Sequence, residues 1–122
     1  MEVLGTYTAR VHEELKRTIV EAIVNKVARA RGSMVTIRLR DLAYYARTRV
    51  ASRIRDAYEH YPLGLTFTAS QFNYIMNRLV KAGLVKRVNG VYIIDKSSPI
   101  WDLARIEPSE AVEELLAVLS LA

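Results

Sequence analysis

Between Ser70 and Lys81 the sequence SQFNYIMNRLVK carries polar side chains every three to four residues. With about 3.6 residues per turn, a helix here puts Phe72, Ile75, Met76, Leu79 and Val80 on one side. The other side holds Ser70, Tyr74, Asn77 and Lys81, flanked by Asn73 and Arg78. These side chains suit contacts to bases and phosphates. Asn can pair with adenine and Arg with guanine, Ser or Tyr can reach a base or a phosphate, and Lys neutralises a phosphate. The stretch from Thr68 to Ala82 contains no acid. The ordinary alternative is a helix whose polar side simply faces water.

More cations lie on either side. Lys86, Arg87 and Asn89 follow in the run LVKRVNGVYII. Upstream, residues 29 to 55 hold eight arginines, among them Arg38, Arg40, Arg47 and Arg49, against the single acid Asp41, a net charge of +7. Such a run can be a footprint for a polyanion, or it can be a solvated face paired with acids elsewhere. Residues 102 to 122 carry five acids and one base, and an acidic tail of this kind could neutralise part of the basic segment. Tyr44, Tyr45, Tyr58, Tyr61 and Tyr74 could offer stacking platforms for unpaired bases. Tyr45, Tyr58 and Tyr61 have spacings equally suited to core packing, whereas Tyr74 points outward on the wheel.

Nothing in the sequence points to catalysis. His12 and His60, the two histidines, fall in different predicted helices. In His12-Glu13-Glu14 the residues on the same face are Leu15 and Lys16, which rules out a helical metal pair. No glycine-rich phosphate loop or paired-carboxylate arrangement occurs, so no enzymatic activity, cofactor or metal is expected. With no cysteine in 122 residues, disulfides and thiolate metal sites are excluded.

These residues are positioned by a small set of elements. A chain of 122 residues, 51% hydrophobic, suffices for one core. Residues 1 to 8 read as irregular, and a helix is expected from Ala9 to about Ala30. Its Val11, Leu15, Ile19, Ala22 and Ile23 share one side and Val20, Val24 and Val27 a second. So wide an apolar arc implies either deep burial or contact with another subunit. Met34 to Arg38 reads as a lone strand. The stripe Leu39, Leu42, Ala43, Ala46, Val50, Ile54 and Ala57 fits one helix or two, closed by Tyr61-Pro62-Leu63-Gly64.

Thr68 and Gln71 have capping-box spacing, which starts the next helix at Thr68. Gly83 stops it after Ala82. Val85–Val88 and Val91–Ile94 then form a hairpin across Asn89-Gly90, the dipeptide best suited to a two-residue turn. After Ser97-Ser98-Pro99 the chain reads as irregular past Trp101, and a last helix spans Pro108 to Leu121.

Helix, short strand, helix, capped helix TASQFNYIMNRLVKAG and hairpin LVKRVNGVYII together resemble the winged helix-turn-helix family, in particular its small archaeal DNA-binding regulators. The resemblance covers about Ala9 to Asp95. It implies a mainly α fold with a small β-hairpin (α+β) and a winged domain over residues 1–98, to which the charge and periodicity of the tail add an acidic helical extension over 99–122. It also implies double-stranded DNA as partner, a role in transcription regulation, and a third helix in the major groove. Carried over by position, Ser70, Asn73, Tyr74, Asn77, Arg78 and Lys81 face the groove, and Lys86, Arg87 and Asn89 sit on the wing. Two departures stand out. The wing turn is only two residues, and segment 48 to 67 exceeds the usual turn between motif helices, leaving room for an inserted helix.

The apolar surplus of the first and last helices predicts a homodimer. Different classes of partner stay open beside duplex DNA: an acidic protein docked on the basic face of an adaptor, or a single-stranded nucleic acid. The composition resembles that of thermophile proteins, with one glutamine and thirteen Arg to five Lys. No apolar run is long enough to span a bilayer and no leader pattern is evident, which predicts a cytoplasmic protein and no membrane.

Overall fold

The arc of valines, leucines and isoleucines in the first helix is what the rest of the molecule is built around. In the computed structural model, the backbone is described for residues 2–39 and 64–120, and side chains for residues 13–39 and 70–120. Helix α1 spans Glu2–Ala28. Leu15, Ile19, Val20, Ala22, Ile23, Val24 and Val27 are all buried, because neighbouring elements cover α1 from several sides. The second apolar side is therefore used within the chain, and over Leu15–Val27 the reason for expecting a partner subunit disappears. The helix begins seven residues earlier than Ala9, at Glu2, and so includes Gly5. A glycine costs a helix only about 1 kcal/mol, too little to end a continuous hydrogen-bond ladder. Thr18, buried on this helix, is satisfied by donating its hydroxyl to the Glu14 carbonyl at 2.7 Å.

Strand β1 (Met34–Ile37) follows, and after the undescribed stretch come α2 (Gly64–Lys81), β2 (Lys86–Val88) and β3 (Val91–Asp95). The three strands form one antiparallel sheet in the order β1-β3-β2. Met34–Ile37 is thus not a lone strand: Met34 pairs with Asp95 and Ile37 with Tyr92. Val88 pairs with Val91, so the turn has two residues, and both adopt positive φ, Asn89 at 51° and Gly90 at 77°. That is the conformation that Asn-Gly favours and that matches the twist of the flanking strands. Tyr92 and Ile94 of β3 are buried, whereas β2 is exposed throughout.

Helix α2 starts at Gly64, four residues before the expected Thr68. The capping-box pair thus lies inside the helix, where the preceding turn already supplies backbone partners. Its far end follows the sequence closely. Gly83, at φ 79°, donates its N–H to Val80 at 3.0 Å, and Leu84 donates to Leu79 at 3.0 Å. These two bonds form the paired closure of a helix on a left-handed glycine.

Beyond the sheet, the stretch read as irregular past Trp101 is helix α3 (Ile100–Ile106), with Ile100, Trp101 and Ala104 buried. So short an apolar stripe behind a proline gave too little periodicity to recognise. Helix α4 (Pro108–Ser120) buries Ala111, Val112, Leu115 and Leu119. These residues belong to the same core cluster as α1, α2 and the sheet. The described part of the chain is mainly helical with a small antiparallel sheet, an α+β arrangement. None of its helices is long and apolar enough to cross a membrane.

Candidate nucleic-acid interface

The buried stripe of α2 orients its outer face. Phe72, Ile75, Met76 and Leu79 are buried, which turns Ser70, Asn73, Tyr74, Asn77 and Lys81 to the exterior and leaves Arg78 half-buried. The sequence periodicity therefore gives the correct side for each of these six residues.

Their environments differ. Tyr74 is 55% exposed, and its hydroxyl accepts a hydrogen bond from Arg78 Nη1 at 3.1 Å. The same guanidinium lies 5.7 Å from the Tyr74 ring centroid, so the pair presents a flat aromatic and cationic surface. Asn77 is joined to the hairpin, since the Tyr92 hydroxyl donates to its Oδ1 at 3.3 Å. The Tyr92 ring meets Phe72 edge-on, with centroids 5.7 Å apart and planes at 81°, and the Arg87 guanidinium lies 5.5 Å from its centroid. Helix and hairpin thus act as one unit through Tyr92.

On the hairpin, Arg87 and Asn89 are exposed. Lys86 is not a free cation: its Nζ is 3.0 Å from Asp95 Oδ2. Asp95 is held below the ordinary carboxylate range, first by the Ser97 hydroxyl and then by Lys86, with the Ser97 backbone N–H donating to Oδ1 at 3.0 Å as well. A solvent-facing pair of this kind contributes little, so Lys86 can be drawn to another anion at small cost. The residue Asp95 carries no obvious signal in the sequence, but the hairpin register could have found it. Lys86 pairs with Ile93, which leaves Asp95 two residues away on the same face.

The sheet register divides the arginine-rich segment. Ile37, Tyr92 and Arg87 lie in one row across the sheet, so exposed Arg38 stands at the end that carries the Asn89-Gly90 turn. Arg29 and Arg31 belong to the opposite end, where Lys96 donates its backbone N–H to Ser33 at 3.2 Å. Among the described residues, Arg29 and Arg31 therefore do not share an end of the sheet with Arg38. Arg40, Arg47 and Arg49 lie outside the described residues. So do Tyr44, Tyr45, Tyr58, Tyr61, His60, the side chain of His12, the helix or helices of 39–61 and nearly all of segment 48–67. Glu113 of α4 pairs with Arg17 of α1 at 2.9 Å. Among the described residues no ion pair joins α4 to Arg29, Arg31 or Arg38.

No protein-family model, curated protein sequence or solved structure matches this chain.

Proposed function

We propose that the protein binds double-stranded DNA as a winged helix-turn-helix regulator, with α2 in the major groove and the β2–β3 hairpin as a short brace on the backbone. The observation that carries this reading is the acid-free outer face of α2, where Ser70, Asn73, Tyr74, Asn77 and Lys81 are all exposed on a helix whose other side is anchored in the core. A helix so anchored can present side chains to base edges with little loss of freedom on binding. Arg38, Arg87 and Asn89 at the turn end of the sheet supply phosphate contacts beside it, and Lys86 adds one when it leaves Asp95. The two-residue turn is too short for deep reading of the minor groove. If Arg40, Arg47 and Arg49 extend the footprint, replacing them lowers affinity without altering sequence preference. Two copies on half-sites about 34 Å apart would have to meet through surface other than the buried stripes of α1 and α4.

One observation favours a protein partner instead. The Tyr74–Arg78 pair, with Tyr74 exposed and Arg78 half-buried, combines the residue types that dominate binding energy at protein interfaces, as an adaptor docking an acidic protein would require. Fluorescence anisotropy with a labelled random duplex and its single strand, over about 50 to 200 mM salt, separates the readings. Duplex binding should weaken with salt at a log–log slope of about −0.9 per phosphate contact, and Lys81→Ala should reduce that slope by about one unit. Absence of duplex binding at the lowest salt would leave the adaptor. Stronger binding of the single strand would transfer the role to the tyrosines.

A further inference from the structure

We infer that the open edge of β1 (Met34–Ile37) docks an extended segment of a partner protein, acidic at both flanks, which joins the sheet as a fourth strand. The inference stands apart from what α2 binds. In the order β1-β3-β2 each outer strand leaves one side open. The ladder shows which backbone groups lie there. Lys96 donates its N–H to the Ser33 carbonyl, and these two residues continue the register in which Met34 pairs with Asp95. Hydrogen-bonded pairs alternate along an antiparallel ladder, so Val35 and Ile37 bond inward, to Ile94 and Tyr92. The N–H and C=O groups of Met34 and Thr36 therefore point away from β3, and no bond among the described residues uses them.

The two edges are not equally protected. On β2 the same alternation leaves Arg87 facing outward, and Lys86 and Arg87 place two charges on a strand of three residues, a common guard against strand addition. Strand β1 reads MVTI, with no charge or proline and an unbroken register, and its Met34 is 53% exposed. Such an edge offers main-chain bonds to any extended peptide, and charge then selects among peptides. Arg31 and Arg38 flank the strand and are exposed, and among the described residues neither is in an ion pair. A second copy laid antiparallel on this edge would bring its own two arginines up to these, which is repulsive. Acids at both ends of the added strand would pair with them instead.

The probe is a fluorescein-labelled, end-blocked peptide, Glu-Glu-Val-Thr-Val-Thr-Glu-Glu, titrated against the full chain by anisotropy at about 50 mM salt, where surface charges are weakly screened. It should bind, and the peptide with lysine in place of its four acids should bind at least about 10-fold more weakly. N-methylation reads the mode of binding, because methyl groups on the two valines and on the two threonines block opposite edges of the added strand. One pattern should lower affinity about 10-fold or more, the loss of two main-chain donors, and the other should lower it less than about threefold. Arg31→Glu with Arg38→Glu should turn the preference to the lysine peptide, whereas Lys81→Glu on α2 should leave the preference unchanged. The inference is overturned by no binding up to about 1 mM peptide, by equal affinity for the two peptides, or by equal loss from both methylation patterns. A loss from Lys81→Glu as large as from the arginine pair overturns it too, by moving the site to α2. So does sedimentation of the chain alone as a dimer that Thr36→Pro dissociates, since that proline removes only an outward N–H and the edge would then belong to a second copy. Circular dichroism melts of each variant verify that a changed affinity is not a loss of fold.

Discussion

Helices α2 and α4 solve the same packing problem and present opposite surfaces. Each lies against α1, and each buries one apolar stripe: Phe72, Ile75, Met76 and Leu79 on α2, and Ala111, Val112, Leu115 and Leu119 on α4. The outer face of α2 has no acid in its polar set Ser70, Asn73, Tyr74, Asn77, Arg78 and Lys81, whereas that of α4 exposes Glu110, Glu113 and Glu114 and no base. The core is indifferent to this choice, since either face would keep either helix in water. Folding therefore does not select the charge of an exposed face here. A partner that is itself charged can, and a polyanion would be drawn to one helix and repelled from the other.

Reversing the charges on each face separates their roles. The double substitution Lys81→Glu and Arg87→Glu should weaken duplex affinity about 50-fold or more near 0.1 M salt, the loss of two phosphate contacts. Glu110→Lys with Glu114→Lys, on the other helix, should change it by less than about threefold. Anisotropy titrations of the two variants read the contrast. Equal effects from both helices would mean that net charge, and not the face of α2, governs binding.

The two sides also differ in what ties them to the centre. On the α2 side the tie is a neutral hydroxyl, Tyr92 to Asn77. On the α4 side it is Arg105 of α3, whose Nη1 donates to the carbonyls of Val27 at 3.3 Å and Ala30 at 2.7 Å. Those carbonyls close the C-terminal end of α1, where a cation is favoured by the helix dipole, and the same guanidinium lies 5.7 Å from the Trp101 ring centroid. Arg105→Ala should lower stability by about 1.5 kcal/mol, the low end for a charged hydrogen bond because the group is exposed. Thermal melting should show it, with duplex affinity unchanged at matched folded fraction. A loss of affinity as well would show that the acidic side couples to the basic one.

How much of this was legible in the sequence depended on whether a signal was local. The side assignments of Ser70 through Lys81, the Asn89-Gly90 turn and the glycine stop at Gly83 are fixed by residues within a turn or two, and each matches the structure. The capping pair Thr68 and Gln71 is equally local, yet the helix begins at Gly64, because a cap is optional wherever the chain can continue helical. Helix α3 was missed because seven residues offer fewer than two full turns of periodicity. The two apolar sides of α1 were legible, but whether they meet the chain itself or a second subunit is a matter of tertiary packing, and here the chain covers them. Contacts such as Tyr92 with Asn77 or Arg105 with Ala30 join residues 15 and 75 positions apart, beyond any spacing rule.

Asp95 sets how firmly the hairpin holds Lys86. The folded-state pKa of Asp95 is depressed, by the Ser97 hydroxyl first and Lys86 second. Its stabilising contribution is therefore fully present above the unfolded value near 3.8 and is lost as the pH falls through the folded one. The difference in melting temperature between wild type and Asp95→Asn should be constant from neutral pH to about pH 5, then shrink and vanish in stronger acid. Carboxyl titration by NMR tests both partners, because Ser97→Ala and Lys86→Met should each raise the Asp95 pKa. If the hairpin sits on the DNA backbone, saturating duplex draws Lys86 to a phosphate and should raise the Asp95 pKa by no more than Lys86→Met raises it in the free protein, plus the through-space effect of the phosphate. A titration point unmoved by duplex would mean that Lys86 stays on Asp95, which would leave Arg87 and Arg38 as the phosphate contacts at the turn end of the sheet.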